Sequence, residues 1–349
     1  MASPVTSLLS RYTWVSSPVI VSAPMRVMSG PALAVAVSQA GGLGFLGPRV
    51  KTEETLADLE EATSLVAKAA PQHGTWPTNV LPVGVGFQLW SDDSKIAAAA
   101  VEKFRPCAAW LYAPRDGQRG LDEWSRLVRR ACPETQVWVQ VGTLAEVKEL
   151  LLRRGEERPD VVVIQGAESG GHGRATDGLG LMSLLPEVAD VMAGSGIPLL
   201  AAGGIADGRG VAAAICLGAS GAAMGTRFLA SHEARISRGY QDEVVRAADG
   251  AVATTRTLLY NHLRGTFGWP REYSPRTIIN RSYVEQQEGK PFEELQVLHD
   301  QASKAGDAGW GPQGRLATYA GASLGLIHDV QDAATIVHGA QRACRGLVR

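Results

Sequence analysis

Two glycine-rich stretches carry most of the chemical potential of this chain. In Gln165-Gly166-Ala167-Glu168-Ser169-Gly170-Gly171-His172-Gly173-Arg174, a single imidazole is flanked by glycines that let a substrate approach closely. A histidine is the natural proton acceptor near neutral pH; the plainer alternative is a solvated loop histidine. Glu168 is a second candidate base, though its expected work is to order the loop by accepting from backbone N–H groups. The other six histidines (His73, His232, His262, His299, His328 and His338) fall in helical or irregular contexts and read as solvated or packed.

The second stretch is Ala201-Ala202-Gly203-Gly204-Ile205-Ala206-Asp207-Gly208, followed by Met224-Gly225-Thr226-Arg227. Read as two successive strand-to-helix turns, these bring glycine amides and a helix N-terminus around one point. Free N–H donors and partial positive charge there can hold a phosphate dianion without a lysine. The alternative is a pair of tight turns with no ligand. Gly42-Leu43-Gly44-Phe45-Leu46-Gly47 also satisfies G-x-G-x-x-G, but it follows a helical pattern and runs through a strand. It therefore reads as a helix C-cap and an inner strand, not a dinucleotide fingerprint.

Elements must hold these turns in place, and the pattern up to about residue 230 supplies them. Short apolar runs at 18–23, 43–46, 81–87, 107–112, 136–141, 160–165, 197–202 and 220–224 predict strands. Amphipathic segments at 31–40, 52–69, 94–104, 121–131, 143–154, 183–193 and 208–217 predict the helices between them, with Thr143 and Asp207 as N-caps. Continuous Val/Ile/Leu composition suits strands buried on both faces. Eight βα units predict an α/β fold, a (β/α)₈ TIM barrel, in preference to an open doubly wound sheet. Residues 232–315 break the rhythm and are expected to form a second, mostly helical domain that caps the substrate, inserted before the last barrel helix. The barrel then comprises 1–231 and 316–349, with 319–345 returning as its final helix. Within the insert, Trp269, Tyr273 and Tyr283 either cap the pocket or pack internally, and packing is the preferred reading.

Composition narrows the function classes. Apolar residues make up 45% and charged residues 20%, ordinary for a globular protein and far from a disordered one. The net charge of −1 attracts no polyanion, so no nucleic-acid partner is expected. The uncharged stretch between Arg26 and Arg49 is broken by Pro31 and by Gly41-Gly42, so no membrane span is expected. Cys107, Cys132, Cys216 and Cys344 show no metal-ligand spacing; they read as reduced core thiols of a cytoplasmic protein, with no metal site. Seventeen of the 40 glycines fall in 41–47, 166–180, 203–210 and 218–225, where backbone must turn tightly or approach something closely.

Ala23-Pro24-Met25, the run ALAVAVSQAGGLGFLG, the loop QGAESGGHG, and AAGGIADG followed by MGTRF occur in this order. As a set they resemble the nitronate monooxygenase family, formerly called 2-nitropropane dioxygenases. The resemblance spans about 18–231, with a looser match through Asn280-Arg281 and the returning helix. It implies a barrel that binds FMN without covalent attachment and oxidises alkyl nitronates with O₂ to a carbonyl compound and nitrite, with nitroalkanes as further substrates. It implies that His172 is the active-site histidine, that Gly203, Gly204, Gly225 and Thr226 cradle the phosphate, and that Met25, Gln140 and Gln165 line the isoalloxazine and ribityl parts. Ala23, Pro24, Gly170 and Gly171 belong to the same implied cofactor wall. Gly86 stands where the family usually has asparagine, leaving a polar contact to be made elsewhere, for instance by Gln88. Two rival readings share the architecture: an FMN-dependent enoyl-acyl-carrier-protein reductase using NAD(P)H, and a flavin-free isomerase holding a phosphorylated metabolite. A thiol mechanism is excluded, because the loops at 166–181 and 203–210 contain no cysteine.

Overall fold

A computed structural model describes residues 3–348 of the chain. Eleven strands form: β1 (Val19–Ser22), β2 (Leu43–Leu46), β3 (Leu81–Gln88), β4 (Pro106–Tyr112), β5 (Gln136–Val141), β6 (Val161–Gln165), β7 (Gly171–Arg174), β8 (Leu199–Ala202), β9 (Gly221–Met224), β10 (Thr254–Arg256) and β11 (Tyr273–Ile278). All but β7, β10 and β11 close a parallel barrel in chain order, sealed where Val19 to Ser22 pair with Gly221 to Met224. The barrel strands are buried along nearly their whole length, as their unalternating apolar composition requires. The chain is a TIM barrel.

Helices lie between successive strands, and their starts are marked chemically. Thr143 Oγ1 accepts from the Glu146 amide at 3.3 Å while the Glu146 carboxylate accepts from the Gly142 amide at 3.0 Å, a reciprocal cap. Asp207 accepts from the amides of Arg209 (2.8 Å) and Gly210 (3.3 Å) to start the helix Gly208–Cys216. The helix Ala333–Leu347 fills the place between the eighth barrel strand and the first. Gln341 Nε2 there donates to Ser16 Oγ at 2.8 Å and lies 3.2 Å from the Gly41 carbonyl oxygen.

Aromatic rings fill the barrel interior. Phe45 lies 5.1 Å from Trp110 and 5.0 Å from Trp138, and the two indoles are 5.7 Å apart. Gly84 makes the room: a Cβ there would sit 2.2 Å from the Phe45 ring. Trp138 Nε1 donates to the Tyr12 hydroxyl at 2.9 Å, tying the segment after the helix Pro4–Arg11 to this column.

Three local expectations change. The helix expected over 319–345 begins only at Ala333. Ahead of it, Ala320 and Gly321 press on Gly170, where a Cβ would lie 2.5 Å from the Ala320 carbonyl carbon, and the Gly321 amide donates to Thr226 Oγ1 at 3.0 Å. That segment is recruited to the barrel rim and forms only a 3₁₀ helix over Ala322–Leu326. The loop at 166–178 contains β7, which pairs antiparallel with β11 so that His172 faces Pro275; β10 extends this small sheet on the other side of β11. Cys216, expected in the core, is exposed at the end of its helix, whereas Cys107, Cys132 and Cys344 are buried. Residues 232–315 contain five α-helices and one 3₁₀ helix besides β10 and β11. No helix among the described residues is long and apolar enough to cross a membrane.

Candidate active site

One cavity of about 640 Å³ opens at the C-terminal ends of the barrel strands. Its wall brings together every site residue expected from sequence: Ala23, Pro24, Met25, Gln140, Gln165, Gly170, Gly171, His172, Gly203, Gly204, Gly225 and Thr226.

The two glycine turns meet on one side of it. Gly203 and Gly204 adopt φ of 102° and 71°, which only glycine takes without strain. No oxygen of the described residues accepts from the amides of Gly203, Gly204, Gly225 or Thr226. Above Gly225 the space is open, since a Cβ there would meet nothing closer than Met25 Sδ at 3.6 Å. Four free N–H donors in an open concavity suit an anion of phosphate size. The neighbouring helix Gly208–Cys216 contributes less than its position suggests, because Asp207 already occupies its first amides.

Along the floor, Trp110 Nε1 donates to Gln140 Oε1 at 2.7 Å, and Gln165 Nε2 donates to the His172 carbonyl at 3.1 Å. Gln88 also lines the cavity, and its buried Oε1 accepts from nothing. A buried acceptor left over in this wall calls for a ligand N–H, and the unpartnered indole N–H groups of Trp269 and Trp310 leave two donors on the same cavity. Gly86 is explained by its neighbour: a Cβ would lie 2.4 Å from Pro24 Cβ, so the side chain the family usually has does not fit over this proline.

A strand end, a short helix and a loop converge on His172. The Tyr112 hydroxyl donates to its carbonyl at 2.6 Å, Asn261 Nδ2 lies 2.8 Å from its Nε2, and the Trp269 ring stacks on it with centroids 3.5 Å apart and planes 6° from parallel. Burial lowers its pKa well below the ordinary histidine range, and the guanidiniums of Arg264, Arg26 and Arg256 push it the same way. The ring is therefore neutral at physiological pH, in a positive field. Burial and the neighbouring Arg276 bring Arg256 itself down to about 10. Arg256 donates to the carbonyls of Ala167 (3.1 Å), Ser169 (3.2 Å), Gly171 (3.3 Å) and Ser274 (2.5 Å), which binds the histidine loop to the small sheet. Glu168 accepts from the Leu181 amide at 2.9 Å, the ordering role expected of it.

Sequence reasoning missed Arg26, which directly follows the Ala23-Pro24-Met25 motif, and Tyr112, Arg256, Asn261, Arg264 and Tyr319, which distant segments without a motif bring to the same cavity wall or loop. Trp269 is the ring that caps the pocket, against the packing reading preferred for it; Tyr273 and Tyr283 do not line the cavity. The signal for Trp269 was its setting, Gly268-Trp269-Pro270, in a stretch without core periodicity.

The family model for nitronate monooxygenase matches residues 9–72 and 125–311. The chain belongs to the nitronate monooxygenase family. It is 58% identical over 342 residues to "Nitronate monooxygenase npaC" of Metarhizium robertsii, covering 98% of this chain and 95% of that one. It is 31% identical over 351 aligned residues to the nitronate monooxygenase of Neurospora crassa, covering 95% of this chain and 90% of that one. Among solved structures it is similar to FabK from Thermotoga maritima, with a TM-score of 0.74 at 26% identity over 100% of this chain and 97% of that one. A nitroalkane oxidase from Streptomyces ansochromogenes shares the fold, with a TM-score of 0.71 at 24% identity over 94% of this chain and 96% of that one. Family membership makes this chain a flavin-dependent oxidoreductase acting on nitronates.

Proposed function

We propose that the cavity binds FMN and that the protein oxidises alkyl nitronates with O₂ to a carbonyl compound and nitrite. The observation that carries this reading is the convergence, in one rim cavity, of four unengaged amides for a phosphoryl tail, an orphaned glutamine oxygen for a heterocyclic N–H, and a neutral imidazole. Gly203, Gly204, Gly225 and Thr226 would hold the phosphate, with Ala23, Pro24, Met25, Gln88, Gln140, Gln165, Gly170 and Gly171 along the ring and ribityl chain. When bound, FMN supplies the electron transfer and oxygen chemistry. Residues 1–231 with 316–349 are assigned to the FMN barrel and 232–315 to a unit that caps the substrate side, bringing Asn261, Arg264 and Trp269 to the cavity. The free cysteines support the cytosol as its compartment.

The chain's own contribution is to receive an anion. Arg26 and Arg264 place positive charge at the cavity, and neutral His172 offers a hydrogen bond without competing for a proton. Trp269 stacks on the half-buried histidine and Tyr319 lies 6.0 Å from it, so the two rings shield part of its surface from water.

The test begins with an absorption spectrum of purified protein and nitrite release from a nitronate in air. A yellow protein releasing nitrite is expected. Colourless protein that does not take up FMN would favour a flavin-free isomerase, and rapid anaerobic bleaching by NADPH would favour an enoyl reductase. His172→Asn is expected to stay yellow while kcat/KM for a nitronate falls about 10- to 100-fold, the worth of one hydrogen bond to a charged group. Unchanged turnover at neutral pH would remove His172 from the reaction.

A further inference from the structure

The hydrogen bonds around His172 have a direction that one residue imposes. Arg264 is a donor and never an acceptor. Its guanidinium donates to the Tyr319 hydroxyl, so the phenol proton must point elsewhere, and it goes to Asn261 Oδ1 at 3.0 Å. With its oxygen engaged, the Asn261 amide turns Nδ2 toward His172 Nε2 at 2.8 Å. An amide nitrogen only donates, so Nε2 is the acceptor and the single proton of the neutral ring sits on Nδ1. Nδ1 has no hydrogen-bond partner among the described residues, on a side chain that lines the cavity. Asn261 is 1% exposed, so no bulk water relaxes the middle of the chain. Reversing any link sets two donors face to face in a buried site, which is costly.

We propose that Arg264, Tyr319 and Asn261 are positioning residues that hold His172 as its Nδ1–H tautomer, so that it meets the substrate as a hydrogen-bond donor to an anion and not as a base toward a carbon acid. The inference rests on the nitronate reading of the cavity and sharpens it. Nitronate oxygens accept from Nδ1–H, whereas a neutral nitroalkane, which must lose an α-proton, meets a ring nitrogen with no lone pair to offer. Discrimination against the neutral nitro form is thus set at the exposed Arg264, two side chains away from the imidazole.

The tautomer is read directly from ¹⁵N-histidine NMR of the flavin-loaded protein, with the His172 signal assigned by its absence in His172→Asn. The wild type is expected to show a protonated Nδ1 and an unprotonated Nε2. Asn261→Asp presents an acceptor to Nε2 and is expected to move the proton there. Tyr319→Phe and Arg264→Met remove the source of direction and are expected to give mixed tautomers, whereas Arg264→Lys, still a pure donor, keeps Nδ1–H. In the variants that lose Nδ1–H, the ratio of kcat/KM for a nitronate over its parent nitroalkane is expected to fall at least about ten-fold, and Arg264→Lys restores it. A wild type protonated on Nε2 overturns the proposal, as does an Nδ1–H signal that persists in Asn261→Asp or Tyr319→Phe. A parallel loss on both substrates without a tautomer change would mean a merely structural role. Arg264 is exposed, so its variants carry the test if the buried changes fail to fold. A wild type that turns over neither substrate defeats the nitronate reading alone, because the NMR result still decides the hydrogen-bond chain.

Discussion

His172 stacks on the Trp269 plate in the field of three guanidiniums, and the cost of charging it there shows in folding as well as in chemistry. With a folded pKa held well below the ordinary value, the unfolded chain takes up a proton below about pH 6.5 that the folded chain refuses. Stability contributed by this residue is complete above about pH 6.5 and is lost as pH falls below it. Asp92, pushed up to about 6 by burial, acts with the opposite sign, since its folded form keeps a proton that the unfolded form has released. The difference between wild type and His172→Asn isolates the histidine: the wild-type Tm is expected to fall more steeply from pH 7 to pH 5 than that of the variant. Equal slopes would mean that the ring is not held neutral. At this scale the sequence was legible wherever a residue acts on its near neighbours. Glu168 capping Leu181 and the paired glycine turns are of that kind. Trp269 and Asn261 were not, because their meaning comes from contact with a residue about 90 positions away.

The small sheet β10–β11–β7 carries the imidazole, and none of its pairing could be read from Gly171-His172-Gly173-Arg174. A strand with two glycines has little intrinsic preference for extended structure. It is made a strand by β11 and by the carbonyls gathered on Arg256. Arg256→Met removes the donor to the Gly171 and Ser169 carbonyls, while Arg276 still donates to that of Ala167. Amides at 166–178 are expected to exchange with solvent at least about ten-fold faster in hydrogen–deuterium exchange, given roughly 1–3 kcal/mol per unsatisfied group. The amides of β3 to β5 should be unaffected. Uniform acceleration across the barrel would show that Arg256 supports the whole fold and not this element. The segment ahead of Ala333 misled for a similar reason: its apolar spacing is helical, yet Ala320 and Gly321 lie against Gly170.

Across the whole molecule the barrel was legible because each strand, buried on both faces, is a continuous apolar run bounded by glycine turns and capped helices. How the ends of the chain complete it was less so. Gln341 joins the last helix to the first strand's approach through Ser16, Pro18 and Gly41, contacts between polar groups with no periodic signature. Gln341→Ala is expected to lower unfolding free energy by about 1–3 kcal/mol, measured by urea denaturation, with the transition remaining single. A second transition would mean that the C-terminal helix unfolds as a separate unit.

The indole of Trp110 belongs both to the cavity wall and to the aromatic column that runs down through Phe45 and Trp138 to Tyr12. If the cavity takes up its flavin as proposed, ultraviolet light absorbed in that column would pass from ring to ring and drain into the yellow chromophore at its top. Emission from the polypeptide itself would then dim as the site fills, an optical gauge of occupancy that needs no added label.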